Sequence, residues 1–278
     1  MKCILAKHSG FCHGVKYTVS SIESLLRHGK EDVYCIGLPV HNRQVTEQLI
    51  NNGLQVVNEV NEIEKGTLVI RAHGLPPQLI DRAKKQKLKI VNTTCGFVVN
   101  AQNIAQLLYK DGYTVIIVGE REHPEVKTIY GVTDEHGIIC SSVEESVGIS
   151  CSGKVGIVSQ TTFSENQYQQ IVTSFLHKDI PELRIFDTIC DSIEKRSIAA
   201  QEVALQVDIM LIVGGKMSSN TKRLFEACKA VNVQSHHIET KDEVVETWFK
   251  QAHTVGITAG ASTPQGVIDD IRAFVEKL

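Results

Sequence analysis

The chain has 278 residues, 42% of them hydrophobic and 22% charged, with a formal net charge of −3. At roughly 150 residues per domain this length predicts about two domains of a globular protein, and the charge balance lacks the basic excess of a nucleic-acid binder. No run approaches the ~20 apolar residues of a membrane span, and the opening apolar stretch is too short for a signal peptide, so the chain is expected in the cytoplasm, its eight cysteines kept as thiols and not built into a disulfide framework.

In chain order, short β-branched runs alternate with amphipathic stretches. KCILAKHSGFC ends at Cys12 and is followed by a predicted helix over 18–29. A strand over 33–40 leads to His41 and a helix over 43–53; a strand over 67–74 carries His73; a strand over 89–94 ends at Cys95. The same order repeats with a helix over 101–112, a strand over 114–120 leading to His123, a strand over 154–160 ending in the polar tip Gln160–Thr162, a helix over 165–176 and a strand over 183–188 ending near Cys190. It closes with a strand over 208–215 leading to Ser218, a helix over 221–231 and a strand over 254–260 leading to Ser262. Continuous apolar strands alternating with helices predict parallel sheets covered by helices. Several of the helical stretches end in Gly, as helices commonly do.

The spacing between tips repeats: 29 residues from Cys12 to His41, 28 from Cys95 to His123, 28 from Cys190 to Ser218. The chain therefore divides into three units of cysteine tip, polar tip, polar tip, predicted as three similar α/β lobes over 1–94, 95–189 and 190–278, with the first strand permutable into the third lobe. Ligands of open α/β sheets bind beyond the carboxyl ends of the strands. Three lobes packed around a pseudo-threefold centre would turn all nine tips toward one cavity.

Three cysteines on rigid strand ends could hold an iron–sulfur cubane that leaves one iron without a protein ligand, or a zinc ion with an open position. Each alone would more simply be a buried thiol, and Cys3, Cys35, Cys140, Cys151 and Cys228, which lack the strand-end setting, are expected to be that. CxxC and GxxxxGK[ST] are both absent from the sequence, so any metal ligands come from distant segments and a P-loop is excluded. The remaining tips carry His41, His73, His123, Ser218, Ser219, Asn220 and Ser262, neutral donors beside helix starts that suit an anion. Ser218–Asn220 would serve equally as a helix cap. Glu125, in EHPE after the stiffening Pro124, is either a proton donor or an acid favoured by a helix N-terminus.

Taken together, GFCHGV, PVHN, RAHG, TTCGFV, EHPEV, SQTT, DTIC, SSNTKRL and TAGASTP, in this order from Cys12 to Pro264, resemble the hydroxymethylbutenyl diphosphate reductases of the LytB type. The resemblance implies one 4Fe–4S cluster per chain on Cys12, Cys95 and Cys190. It implies diphosphate binding by His41, His73, His123, Ser218, Ser219, Asn220 and Ser262, and proton delivery by Glu125, with Thr161 near the substrate hydroxyl and Gln160 in the same loop. The reaction implied is a two-electron reductive dehydroxylation of 4-hydroxy-3-methylbut-2-enyl diphosphate to isopentenyl and dimethylallyl diphosphate. Its electrons would come from an external ferredoxin or flavodoxin; neither a nucleic acid nor a membrane is an expected partner. The chain departs from the family's pattern twice. DSIEKRS follows DTIC where the family usually has a Thr and an Arg-Gln pair, and Met217 stands where an Asn is common. The rival readings are a non-enzymatic iron–sulfur sensor of a diphosphate metabolite, which has no need of Glu125, and a zinc hydrolase.

Overall fold

The computed structural model describes residues 1–29 and 31–278. In chain order its elements are β1 (Lys2–Leu5), α1 (His13–His28), β2 (Val33–Ile36), α2 (Arg43–Asn51), β3 (Leu54–Val57), β4 (Thr67–Ile70), α3 (Pro77–Lys85), β5 (Lys89–Asn92), α4 (Gly96–Lys110), β6 (Thr114–Val118), α5 (Pro124–Gly131), β7 (Ile138–Cys140), α6 (Val143–Gly148), β8 (Lys154–Ser159), α7 (Glu165–Leu176), β9 (Glu182–Ile185), α8 (Asp191–Ala204), β10 (Ile209–Val213), α9 (Ser219–Val231), β11 (Ser235–Ile238), β12 (Thr254–Ala259) and α10 (Gln265–Lys277). The strands form three four-stranded sheets, ordered β1-β12-β10-β11, β3-β2-β4-β5 and β7-β6-β8-β9, and every pairing is parallel. This is the α/β class expected from the alternation of runs.

The inner strands are the apolar ones. VYCI, TLVI and IMLIV are buried along their whole length, as strands covered on both faces must be. The chain divides into two compact units, Met1–Ser20 with Leu38–Asn52 and Asp191–Leu278, and Ser21–Gly37 with Gly53–Cys190. In the first, one core joins β10 and β12 through Ile209, Leu211 and Ile257 to Ile268, Ile271 and Val275 of α10. A second joins Met210 and Ile212 to Ala200 and Ala204 of α8 and to Leu224 and Cys228 of α9. In the second unit, Tyr34, Leu68 and Ile70 pack on Ala83 and Leu88. Ile117 and Val158 meet α4, while Ile116 and Ile157 meet Ile171 and Phe175 of α7. Replacing one of these fully buried isoleucines by alanine costs about 2–5 kcal/mol.

Each sheet leads to its tips in the same order. An edge strand, β3, β7 or β11, is followed by two strands that run to polar tips and then by an outer strand that runs to a cysteine. The strand completing the third set is β1, which pairs with β12 from Lys2↔Thr254 to Leu5↔Ile257. The sheets thus group the tips as polar, polar, cysteine, and Cys12 follows a strand that belongs with the last part of the chain. The strand predicted over 33–40 stops at Ile36, because Gly37 takes φ 65° and turns the backbone away. The edge strands β3 and β7 are runs of only four and three residues, and β11, SHHI, is mostly polar, so none stands out in the sequence.

Candidate active site

All eight cysteines are thiols. Cys12 immediately precedes α1, Cys95 is the N-cap of α4 and Cys190 immediately precedes α8. Thiolate is the form of cysteine that ligates metal. The backbone repeats one contact at all three. The amide N–H of Cys12 donates to the carbonyl of Ala261 at 3.0 Å, that of Cys95 to Ala72 at 3.0 Å, and that of Cys190 to Thr161 at 2.8 Å. Each acceptor lies two residues past the end of the neighbouring strand, β12, β4 or β8. Cysteine and polar tip are therefore fastened together by the same bond in each sheet.

Cys35, Cys140 and Cys228 are fully buried, as expected of core thiols, and burial pushes the first two up to about 11 and Cys228 to about 12. Cys3 and Cys151 depart from expectation and are only half-buried. Cys3 lies on the outer strand β1, and Cys151 in the turn before β8. The three thiols at equivalent helix starts are the set whose chemistry fits an iron–sulfur cluster held by three cysteines. The three deeply buried thiols, kept protonated at neutral pH, do not fit it.

Glu125 lies in the first turn of α5 and is 1% exposed. Its position is the one a helix dipole favours, yet its carboxylate is used elsewhere. Oε1 accepts the amide N–H of Thr161 at 2.5 Å and Oε2 accepts the Thr161 hydroxyl at 2.9 Å. Since the carbonyl of Thr161 accepts from Cys190, one residue joins the acid to a cysteine tip. Thr188 supports this tip by donating its hydroxyl to the Ser159 carbonyl at 2.6 Å and accepting the Ser159 amide at 2.8 Å. Gln160 braces the preceding loop, accepting from Glu120 N–H at 2.9 Å.

His123 is the N-cap of α5, and its Nδ1 accepts from Glu125 N–H at 3.2 Å. Accepting at Nδ1 puts the proton of a neutral ring on Nε2, the donor side of the imidazole. The His73 ring meets it edge-on, with centroids 5.3 Å apart.

In the other unit, the Ser218 side chain caps α9 by accepting from Thr221 N–H at 3.3 Å. Ser219 and Asn220 open the helix. Asn220 is 7% exposed, and its Nδ2 has no hydrogen-bond partner among the described residues. An amide donor left unmet in a buried place costs about 1–3 kcal/mol, which a bound anion at this helix start would offset. The Ser262 hydroxyl donates to the His41 carbonyl at 3.3 Å. That carbonyl also lies 2.6 Å from where a Cβ on Gly215 would sit, so the His41 carbonyl meets both the Ser262 hydroxyl and the backbone of the turn before Ser218.

Several supporting residues escaped sequence reasoning. Arg196 is 3% exposed and donates Nη1–H to the Ala259 carbonyl at 2.7 Å, linking α8 to the end of β12. Arg71 puts its guanidinium 3.1 Å from the Cβ position of Gly37, and burial holds it below the usual arginine range. It stood in view in RAHG, beside a histidine that drew the attention. His237 and Glu239, on and just after β11, bond the turn before Ser218, and no pattern in the sequence marks them.

The profile of the LytB protein family matches residues 3–276. A relative from Pelobacter propionicus is 39% identical over 278 residues, covering 100% of this chain and 99% of its own; it is named 4-hydroxy-3-methylbut-2-enyl diphosphate reductase. One from Geobacter sulfurreducens, with the same name, is 38% identical over 272 residues, covering 98% of this chain and 95% of its own. A solved structure of (E)-4-hydroxy-3-methyl-but-2-enyl diphosphate reductase, described as the terminal enzyme of the non-mevalonate pathway, aligns over 100% of both chains at 34% identity with a TM-score of 0.75. The reductase from Plasmodium falciparum aligns over 100% of this chain and 87% of its own at 27% identity, with a TM-score of 0.91.

Proposed function

Since the chain belongs to the LytB protein family, we propose that it is a 4-hydroxy-3-methylbut-2-enyl diphosphate reductase, an iron–sulfur oxidoreductase that makes isoprenoid precursors. The observation that carries this reading is the bond repeated from Cys12, Cys95 and Cys190 to the neighbouring polar tips. Three cysteines held alike in three like sheets form a set, which cysteines buried one by one for packing would have no reason to do. The lobes are the three sheets with their helices, and β1 completes the third.

Cys12, Cys95 and Cys190 would hold one 4Fe–4S cluster. When bound, such a cluster supplies single electrons and one iron open to an oxygen ligand. The rest falls to the chain. His41, His73 and His123, with Ser218, Ser219, Asn220 and Ser262, hold the diphosphate through neutral donors. His123 is set as an Nε2 donor by its Nδ1 contact, and the Asn220 amide nitrogen has no hydrogen-bond partner among the described residues. Glu125 and Thr161 hold the proton that leaves with the substrate's hydroxyl as water. The carboxylate and the threonine hydroxyl already share a hydrogen bond, so a proton passes between them without a conformational change. Two electrons and two protons convert the allylic alcohol to isopentenyl or dimethylallyl diphosphate plus water. The electrons come from a separate carrier, a ferredoxin or flavodoxin. The setting is cytoplasmic; among the described residues no helix is long and apolar enough to cross a membrane.

Anaerobic purification with an iron count and an activity assay tests the reading. A brown, oxygen-sensitive protein with about four irons per chain that turns over the diphosphate with a chemical reductant is expected. A colourless zinc protein would refute it, and so would an iron protein that binds the diphosphate without turnover.

A further inference from the structure

The turn that delivers Ser218, Ser219 and Asn220 is Gly214–Gly215–Lys216, and three consecutive residues grip it. The carbonyl of Ile238 accepts Gly214 N–H at 2.9 Å. His237 bonds the Gly214 carbonyl through Nε2 at 2.8 Å; since a carbonyl only accepts, the imidazole proton is on Nε2. Glu239 accepts Lys216 N–H on Oε1 at 2.6 Å. Both sides of the turn are thus bonded to the end of β11.

The turn has little freedom to relax if these bonds are lost. Gly214 has φ 150°, and a Cβ there would lie 2.7 Å from Thr263 Oγ1 and 2.9 Å from Thr221 Oγ1. Gly215 sits against the His41 carbonyl. Two further contacts join the grip to neighbouring elements. Phe225 of α9 packs on the His237 ring at 5.8 Å, and Gln44 of α2 donates to the Glu239 carbonyl at 3.0 Å. The cation of the turn is also taken up, because Lys216 Nζ pairs with Glu243.

On the reading that Ser218, Ser219 and Asn220 hold a diphosphate, we infer that His237 and Glu239 are positioning residues that set the Gly214–Lys216 turn for diphosphate binding. Neither needs to touch the ligand. Glu239 acts on a backbone amide and His237 on a backbone carbonyl, so each is replaceable by a neutral side chain with the right donor or acceptor. Among the described residues the Glu243 carboxylate meets the lysine side chain alone, and it is not part of the device.

The test is calorimetric binding of inorganic diphosphate to the anaerobic holoenzyme, alongside KM and kcat for the substrate. Glu239→Ala and His237→Leu should each weaken diphosphate binding about tenfold, the value of one good hydrogen bond, and raise KM by a similar factor with kcat within about threefold. Glu239→Gln and His237→Gln, which keep an acceptor and a donor, should bind within about twofold of the parent. Glu243→Ala should bind at least as tightly as the parent. If Glu239→Ala does not accumulate folded, His237→Leu reads the same turn from its other side. Parent-like binding by Glu239→Ala and His237→Leu beside weakened binding by Asn220→Ala would overturn this inference alone. So would weakening by Glu243→Ala, which would assign the effect to the placing of the Lys216 side chain. A parent that neither binds inorganic diphosphate nor turns over the substrate would end the functional reading, and this inference with it.

Discussion

Glu125→Gln separates chemistry from structure because the two effects appear in different measurements, turnover and melting. The acid's oxygens accept two hydrogen bonds from Thr161, at 2.5 and 2.9 Å. Glutamine keeps the length and one acceptor, so the Thr161 amide stays bonded while the hydroxyl turns to accept from the new amide. Exchanging bonds to a carboxylate, about 1.5–3 kcal/mol each, for bonds to a neutral group, about 0.5–1.5, costs about 2–3 kcal/mol for the two. In a chain of this length that lowers Tm by a few degrees. If Glu125 is the general acid, losing it slows the chemical step about 10²–10⁴-fold, which is about 2.7–5.4 kcal/mol of barrier. Single-turnover decay under a chemical reductant, measured with thermal melting and diphosphate binding on the same anaerobic sample, reads all three quantities. Slow turnover, a small Tm shift and unchanged binding are expected. Parent-like turnover would remove Glu125 from the reaction. A turnover loss that vanishes once the fraction of folded protein is taken into account would make its role structural.

Replacing Cys12, Cys95 or Cys190 by Ser should abolish most iron binding, because a hydroxyl is a poor substitute for thiolate on iron, whereas Cys228→Ala should keep the parent's iron count. The reverse pattern in an iron assay would move the cluster elsewhere. Asn220→Ala should weaken binding of a substrate-like diphosphate by about 1.5–3 kcal/mol with the visible spectrum unchanged; equal affinities by calorimetry would remove that residue from the cradle. In cluster-free protein, iodoacetamide at pH 8 should spare Cys35 and Cys140, whose thiols are pushed up to about 11, and Cys228, pushed up to about 12. The raised values leave on the order of one thiolate in 10³–10⁴ at that pH, against about a quarter of an ordinary cysteine. Labelling of these three should keep accelerating as pH rises past 9, and mass spectrometry that finds them labelled first would contradict their burial.

The strand ends were legible because the inner strands are continuous apolar runs and the residues after them are conspicuous for being polar. Thus Cys95, the Gln160–Thr162 tip and Ser262 could be picked out by position alone, and all follow the ends of parallel strands. The bonds among them were not legible. Nothing in SQTT says that Thr161 offers its amide and hydroxyl to Glu125 and its carbonyl to Cys190. Such contacts depend on which strands neighbour one another, and strand order is a property of the sheet, not of any segment. His237 illustrates the point. Its strand, SHHI, is too polar to be noticed, yet pairing with β10 from Met210↔Ser235 to Val213↔Ile238 carries its ring to Gly214. Arg196 stood in DSIEKRS as part of a departure from the family pattern, and only the packing of α8 against β12 gives it a partner.

The pairing of β1 with β12 bears on the order in which a newly made chain can fold. Cys95 and Cys190 bond carbonyls close behind them in the chain, at Ala72 and Thr161, so both tips can set while synthesis continues. Cys12 cannot, because its acceptor is Ala261 and its strand has no partner until β12 is made about 250 residues later. Contacts between segments so far apart are the slow ones to form, and an unpaired strand edge at the start of a chain is open to wrong pairings while it waits. The first of the three cysteines to leave the ribosome is therefore the last of them to be seated.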